Sequence, residues 1–174
     1  MSNASIDFYN GDAPDDRGRF LTDIQGWPDD RLESVHNFIQ WLFPLPEPSP
    51  VNPGAPLLDA VTIREFQARP ELRERMRTSW LRMLHFYGLE FADGVVTRGS
   101  NFAERSSNWL WPGNHNHLRI TRMLRCLRLS GLEAEACAFF ECLDAIYEEQ
   151  RVQPRPAITA ETFRFWKNAA GAGK

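Results

Sequence analysis

The chain has 174 residues, of which 43% are hydrophobic and 25% are charged, with a formal net charge of −3. This balance is typical of one globular domain with a sizeable core, and it excludes a disordered chain. The small net charge predicts no specific affinity for nucleic acid. No window approaches 18 consecutive apolar residues, so we expect a soluble, cytoplasmic protein without a transmembrane segment.

The first residues are polar and rich in turn formers. We therefore expect a partly disordered amino terminus over residues 1–14, a single helical domain over residues 15–170, and a short tail at 171–174. A short helix is predicted from Asp15 to Ile24, ending near Gly26.

The clearest predicted helix runs from Asp29 to Phe43, because acidic residues begin it and Pro44 ends it. Its apolar stripe at helical spacing contains Leu32, Val35, Ile39, Leu42 and Phe43. Four other side chains lie at the edge of this stripe or on the far side: His36, Gln40, Asn37 and Trp41. A tryptophan opposite a buried face needs a second packing surface or a partner.

Six prolines between residues 44 and 56 exclude both helix and central strand. They predict an extended, polyproline-like crossing, which we call the proline-rich crossing. The main interpretation is a stiff surface connection, and the alternative is a ligand for an aromatic-lined groove.

The rest of the chain predicts further helices and one small hairpin. A capping box of Thr62 and Glu65 begins a helix that breaks at Arg69, and the Asp93-Gly94 pair predicts a turn between two short strands. The other predicted helices are Glu71–Tyr87, Ser100–Trp109, His115–Ser130, Glu133–Arg151 and one that Thr159 caps. The total of six or seven helices predicts an all-α fold in a single compact domain.

Few patterns in the chain point to chemistry. His115 and His117 are two residues apart and diverge on a helix, so we expect no metal site. No nucleophile elbow or phosphate-binding glycine loop occurs, so we expect no catalytic residues and no cofactor. The three cysteines, Cys126, Cys137 and Cys142, lack CxxC pairing and predict buried thiols in a reducing compartment.

Arg119 and Arg122 are bordered by apolar residues on the predicted His115 helix. A partly buried guanidinium needs a carboxylate, carbonyl groups or an anionic ligand. Two interpretations stay open, a structural network of ion pairs and an anion-binding site. Close by, Asn108, Trp109, Asn114 and Asn116 form the best candidate for an aromatic-walled pocket that holds a peptide or small ligand.

Three stretches carry a family resemblance: Val35 to Leu45 with the proline-rich crossing behind it, Leu84 to Leu89, and Asn114 to Leu127. They resemble the conserved domain of the opioid growth factor receptor family. The resemblance implies a receptor, described in animals as binding the pentapeptide met-enkephalin and as associated with nuclear and perinuclear membranes without spanning them. Peripheral membrane association follows only from this resemblance. Because 18 of the 20 basic residues are arginine, we expect a microbial member with the conserved domain alone.

Two hypotheses follow. The first is a non-enzymatic, receptor-like domain for a peptide or protein ligand, with the site residues His36, Asn37, Gln40, Trp41, Asn108, Trp109, His115, Asn116, Arg119 and Arg122. The second is an enzyme in which Arg119 and Arg122 hold a small anionic substrate and His115 or His36 is the general base. In both cases we expect the two motif helices to lie against each other, with His36, Gln40 or Trp41 directed towards the His115 helix.

Overall fold

Ten α-helical segments and one antiparallel hairpin make up residues 3–173, the part of the chain that the computed structural model describes. The helices are α1 (Ala4–Asn10), α2 (Leu21–Gln25), α3 (Asp29–Ser34), α4 (Ile39–Leu42), α5 (Ala60–Ala68), α6 (Pro70–Tyr87), α7 (Phe102–Arg105), α8 (Asn116–Leu129), α9 (Glu133–Gln150) and α10 (Ala160–Ala170). The fold is thus mostly helical, and the helix count exceeds the predicted six or seven because several segments are single turns.

The hairpin joins strands β1 (Leu89–Ala92) and β2 (Val95–Arg98), with Leu89 opposite Arg98. Its turn contains Asp93 and Gly94, both at positive φ, as the Asp-Gly pair predicts. The fold is therefore not purely helical.

Residues 4–10 form helix α1, within the stretch for which the sequence predicts partial disorder. The Asn3 side chain accepts a hydrogen bond from the amide of Ile6 and so begins α1. Phe8 and Tyr9 are fully buried, and the Tyr9 hydroxyl donates to the Leu42 carbonyl. Burial of these rings outweighs the polar character of the flanking residues.

The predicted Asp29–Phe43 helix is also wrong, because it is interrupted. Helix α3 ends at Ser34, and Val35 is extended with φ −93° and ψ 128° before α4 begins at Ile39. All four residues of α4 are buried, Trp41 included. An unbroken helix with one apolar stripe would have left part of Ile39–Leu42 exposed, whereas the break turns all of α4 inwards.

Helix ends elsewhere agree more closely with the sequence. Pro70 begins α6 and Gly88 ends it in the left-handed conformation, as predicted. Thr159 caps α10 through its hydroxyl, also as predicted. The capping residue of α5 is Asp59 and not Thr62, because Asp59 Oδ1 accepts from the amide and the hydroxyl of Thr62 at 2.8 Å each.

Helix α8 lies at the centre of the fold, packed against α9 and α10. Its predicted core face is fully buried and consists of Ile120, Met123, Leu124 and Leu127. Cys126 and Cys142 are buried thiols as expected, but Cys137 is exposed. Within residues 3–173, no helix has both the length and the apolar character that crossing a membrane requires.

Candidate functional site

A half-open pocket of about 420 Å³ lies beside α8, and we call it the α8 pocket. Its apolar residues are Ile39, Leu45, Pro50, Val51 and Leu118. Its polar residues are His36, Gln40, Ser49, His115, Arg119, Thr121 and Arg122. The pocket therefore joins both motifs of the resemblance to the proline-rich crossing between them.

Within residues 3–173, Arg119 makes no ion pair with a carboxylate. Its Nη1 donates to the Leu32 carbonyl and its Nη2 to the Val35 carbonyl, each at 2.8 Å, and these carbonyls lie at the end of α3. A helix end leaves such carbonyls without partners, so Arg119 supplies the donors that the interrupted helix needs. Burial is the main cause that lowers the pKa of Arg119.

Arg122 lies one turn further along α8 and donates in the same way to a backbone carbonyl at the end of α4. Its Nη1 donates to the Phe43 carbonyl at 3.1 Å, and Phe43 is the residue that ends α4. Burial is the main cause that lowers the pKa of Arg122. Of the two interpretations left open by the sequence, an ion-pair network does not describe these contacts, because backbone carbonyls and the Asn116 side chain accept the hydrogen bonds of the two arginines in residues 3–173.

His36 and His115 both line the α8 pocket, and their rings contact each other edge-on. Their ring centroids are 5.2 Å apart and their planes are nearly perpendicular. Arg119 Nη2 lies 3.4 Å from His36 Nδ1. Because arginine only donates, this contact as a hydrogen bond makes Nδ1 the acceptor and places the ring N–H on Nε2. His36 thus brings an N–H donor to the pocket wall.

His115 has the opposite arrangement. Its Nε2 is buried and lies 3.0 Å from Glu33 Oε1, in a contact that lacks hydrogen-bond geometry, while the other oxygen of Glu33 accepts from Asn116 Nδ2. Burial, with smaller contributions from Arg119 and His36, lowers the pKa of His115 against the opposing influence of Glu33. With the ring proton on Nε2, beside the negative charge of Glu33, Nδ1 keeps a lone pair.

The two tryptophans among the predicted site residues, Trp41 and Trp109, lie outside the pocket. Trp41 is buried and packs edge-on against Phe8, with ring centroids 5.3 Å apart. Trp109 is fully buried, and its Nε1 donates to the Tyr87 carbonyl at 3.0 Å. Both side chains belong to the core, and the second packing surface that Trp41 required is helix α1.

The three asparagines among the predicted site residues also lie outside the pocket and contact other parts of the protein. Asn37 Oδ1 accepts from Arg19 Nη1 at 2.9 Å, the backbone of Asn108 accepts from Asn114 Nδ2 at 2.8 Å, and Asn116 is fully buried. The α8 pocket thus contains His36, Gln40, His115, Arg119 and Arg122 of the ten predicted residues. The other five lie outside it.

His117 points away from His115, as the spacing predicts. Its Nε2 lies 2.8 Å from the Trp109 carbonyl, and its ring packs against Trp166. Burial is the main cause that lowers its pKa. Among residues 3–173, no group of three or more His, Cys, Asp or Glu side chains has an arrangement that could hold a metal ion.

Sequence reasoning missed the contribution of the proline-rich crossing, which supplies Leu45, Ser49, Pro50 and Val51 to the pocket. Hydrogen bonds fix the crossing at two positions, Glu47 and Asn52. Glu47 accepts two hydrogen bonds of 2.7 Å from Arg125 on α8, and Asn52 Nδ2 donates to the Asn37 carbonyl at 3.0 Å. In the sequence, the contact with Arg125 is indicated only by Glu47, a single acidic residue within the proline-rich crossing. The crossing is therefore a pocket wall as well as a connection.

Fold and site together define a mostly helical domain with a half-open pocket, apolar on most sides and cationic along α8. Comparison with known proteins identifies its relatives. The opioid growth factor receptor (OGFr) conserved region matches residues 4–169. The chain therefore belongs to the opioid growth factor receptor conserved-region family.

The similar proteins are animal receptors and their homologues. The opioid growth factor receptor of Homo sapiens is 40% identical over 141 residues, which are 71% of this chain and 20% of that protein. The receptor of Rattus norvegicus is 44% identical over 122 residues, 67% of this chain and 21% of that protein. Opioid growth factor receptor-like protein 1 of Mus musculus is 35% identical over 137 residues, 75% of this chain and 29% of that protein.

The chain spans about a fifth of the length of the curated receptors that it matches. No solved structure matches it.

Proposed function

We propose that the chain is a non-enzymatic binding domain that holds a peptide or protein ligand in the α8 pocket. The names of the human and rat relatives describe receptors for a growth factor, which supports a ligand-binding role. The observation that carries the proposal is the pocket itself. Its volume of about 420 Å³ falls within the usual range of ligand sites, roughly 300–1,000 Å³.

The pocket is organised before any ligand arrives. Arg119 and Arg122 are held in place by backbone carbonyls, and Glu47 with Arg125 holds the proline-rich crossing against α8. Side chains that are already ordered lose little entropy when a ligand binds. This arrangement favours recognition by a rigid site over recognition by a segment that folds on binding.

The test is a binding titration with pools of fluorescein-labelled hexapeptides, followed by fluorescence anisotropy. Leu118 is 75% exposed and lines the pocket, so Leu118→Glu should abolish saturable binding without unfolding the domain. The matched control is Leu81→Glu, on the exposed side of α6, which should bind like the unchanged protein. Binding that survives Leu118→Glu, or no binding by any pool at millimolar concentration, would overturn the proposal.

One observation favours the second hypothesis, an enzyme that acts on a small anionic substrate. Glu33 orients His115 in a pocket that also holds Arg119 and Arg122, so the Nδ1 lone pair of His115 is available as a general base. Hydrolysis of 4-nitrophenyl phosphate and of 4-nitrophenyl hydrogen succinate tests it. An enzyme should lose kcat with little change of KM in Glu33→Gln, and absence of turnover of either ester counts against catalysis.

A further inference from the structure

The α8 pocket is lined by two guanidinium groups, those of Arg119 and Arg122, that make no direct ion pair with a carboxylate in residues 3–173. Arg122 makes a single hydrogen bond to the described part of the chain, to the Phe43 carbonyl, so most of its N–H groups are available. The nearby carboxylates have other partners, since Glu33 lies against His115 and Asn116 and Glu47 is bound by Arg125. An anionic group on the ligand would complete this charge balance.

The other walls are suited to an apolar group. Ile39, Leu45, Val51 and Leu118 line the pocket, and Val51 and Leu118 are 67% and 75% exposed in the free domain. Exposed aliphatic side chains of this kind gain by being covered. The pocket volume is at the lower end of the range for ligand sites, so the pocket suits the end of a chain better than a long segment.

The pocket also contains hydrogen-bond acceptors that lack donors. Gln40 is 5% exposed, and its Oε1 has no partner among the described residues, while its Nε2 donates to the His36 carbonyl. The Nδ1 of His115 adds a second acceptor, as its contact with Glu33 implies. A ligand that provides an N–H group close to its anionic group would satisfy this side of the pocket.

From these three features we infer that the α8 pocket recognises the free carboxyl-terminal residue of a peptide, with an aliphatic side chain at that position. This inference rests on the proposed function and specifies its ligand. A last residue combines a carboxylate for Arg122 and the His36 N–H, a backbone N–H for Gln40 or His115, and a side chain for the apolar walls. An internal peptide segment lacks the carboxylate, and a fatty acid lacks the N–H.

Isothermal titration calorimetry with three probes tests the inference: acetyl-Gly-Gly-Leu as free acid, the same peptide as carboxamide, and octanoate. We expect the free acid to bind about tenfold or more tightly than the carboxamide, the difference that one hydrogen-bonded ion pair provides. Octanoate should bind more weakly than the free acid.

A matched pair of variants locates the effect. Arg122 and Arg128 both lie on α8, are partly exposed and donate to one backbone carbonyl, Phe43 and Ala169 respectively. Arg122→Gln should remove the preference for the free acid, and Arg128→Gln should keep it. If Arg122→Gln fails to fold, the affinities of the free acid and the carboxamide for the unchanged protein still decide whether the pocket recognises a free carboxyl terminus.

The outcomes separate the two proposals. If the free acid and the carboxamide bind with equal affinity, recognition of a carboxyl terminus is overturned. If Leu118→Glu also abolishes this binding, the proposal of a peptide-binding pocket is retained. Octanoate binding as tightly as the free acid would overturn the peptide part of the inference. Absence of binding by every peptide tested would overturn both proposals.

Discussion

Arg119 on α8 donates a hydrogen bond of 2.8 Å to the carbonyl of Val35, the residue that follows the last residue of α3. The two residues belong to the two long motifs that carry the family resemblance, and 84 positions separate them in the chain. The bond, together with the contact between His36 and His115, confirms the prediction that the two motifs lie against each other. His36 and Gln40 line the shared pocket, whereas Trp41 packs on the opposite side.

Removal of the Arg119 side chain should destabilise the whole domain. Arg119→Met leaves the carbonyls of Leu32 and Val35 without these donors in a buried setting, so we expect a loss of about 3–5 kcal/mol in the free energy of unfolding. Urea unfolding followed by circular dichroism measures it. Arg164→Met, at an exposed site on α10, is the control. A loss below about 1 kcal/mol would show that the carbonyls find other partners.

Gly88 should tolerate a methyl group less well than Gly94. Both have φ near +80°, but an added Cβ at Gly88 would lie 2.7 Å from Phe102 Cα, whereas nothing lies within 4 Å at Gly94. Gly94→Ala should cost about 1–2 kcal/mol for the left-handed backbone alone. Gly88→Ala should cost clearly more, because the backbone of α7 must also move. Equal unfolding midpoints in urea would contradict the steric argument.

Stability should fall as the pH drops below about 6.5, the pKa of histidine in an unfolded chain. Burial lowers the pKa of His115 and of His117 in the folded state, so the unfolded chain takes up protons first. The contribution of the neutral rings is complete above this pH and is lost towards the lower folded pKa.

Urea midpoints at pH 7.5, 6.5 and 5.5 measure this fall. His115→Gln and His117→Gln should each make it shallower, and His85→Gln at the exposed end of α6 is the substitution control. A slope that is unchanged in both buried-site variants would assign the fall to other groups.

Loss of the Glu47–Arg125 pair should affect the pocket more than the stability of the fold. The pair is largely exposed, so Glu47→Gln should cost less than about 1 kcal/mol. Because it holds the proline-rich crossing against α8, we expect faster proteolysis within residues 45–55 and weaker peptide binding. Glu148→Gln breaks an exposed pair with Arg151 on α9 and is the control. Unchanged cleavage rates would show that Asn52 alone holds the crossing.

The thiols should react in two classes with dithionitrobenzoate. Cys137 is exposed, whereas burial raises the pKa of Cys126 to about 12 and that of Cys142 to about 11. One thiol should therefore react quickly in the native protein, and all three in denaturant. Cys137→Ser should remove the fast reaction, and a second fast thiol in this variant would show that Cys142 becomes exposed.

Local signals account for what the sequence predicted well. Pro70, Gly88 and Thr159 act through their own backbone preferences or through neighbours three residues away, so the boundaries of α6 and α10 follow from short stretches of chain. The core face of α8 follows from helical spacing, which depends only on the helix itself. The resemblance, carried by contiguous motifs, was likewise available from the sequence, and the match over residues 4–169 confirms it.

Only the tertiary structure decided where the Asp29–Phe43 segment breaks and what surrounds the pocket. The break leaves the carbonyls at the end of α3 free, and the end of α4 leaves that of Phe43 free. Their donors come from Arg119 and Arg122, 84 and 79 residues away. No periodicity in the segment encodes such partners, because the free energy of the break depends on groups that reach it only when the chain is folded. The same reason applies to the proline-rich crossing. The sequence predicted only a surface connection, and the contact of Glu47 with Arg125 on α8 shows that the crossing also forms a wall of the pocket.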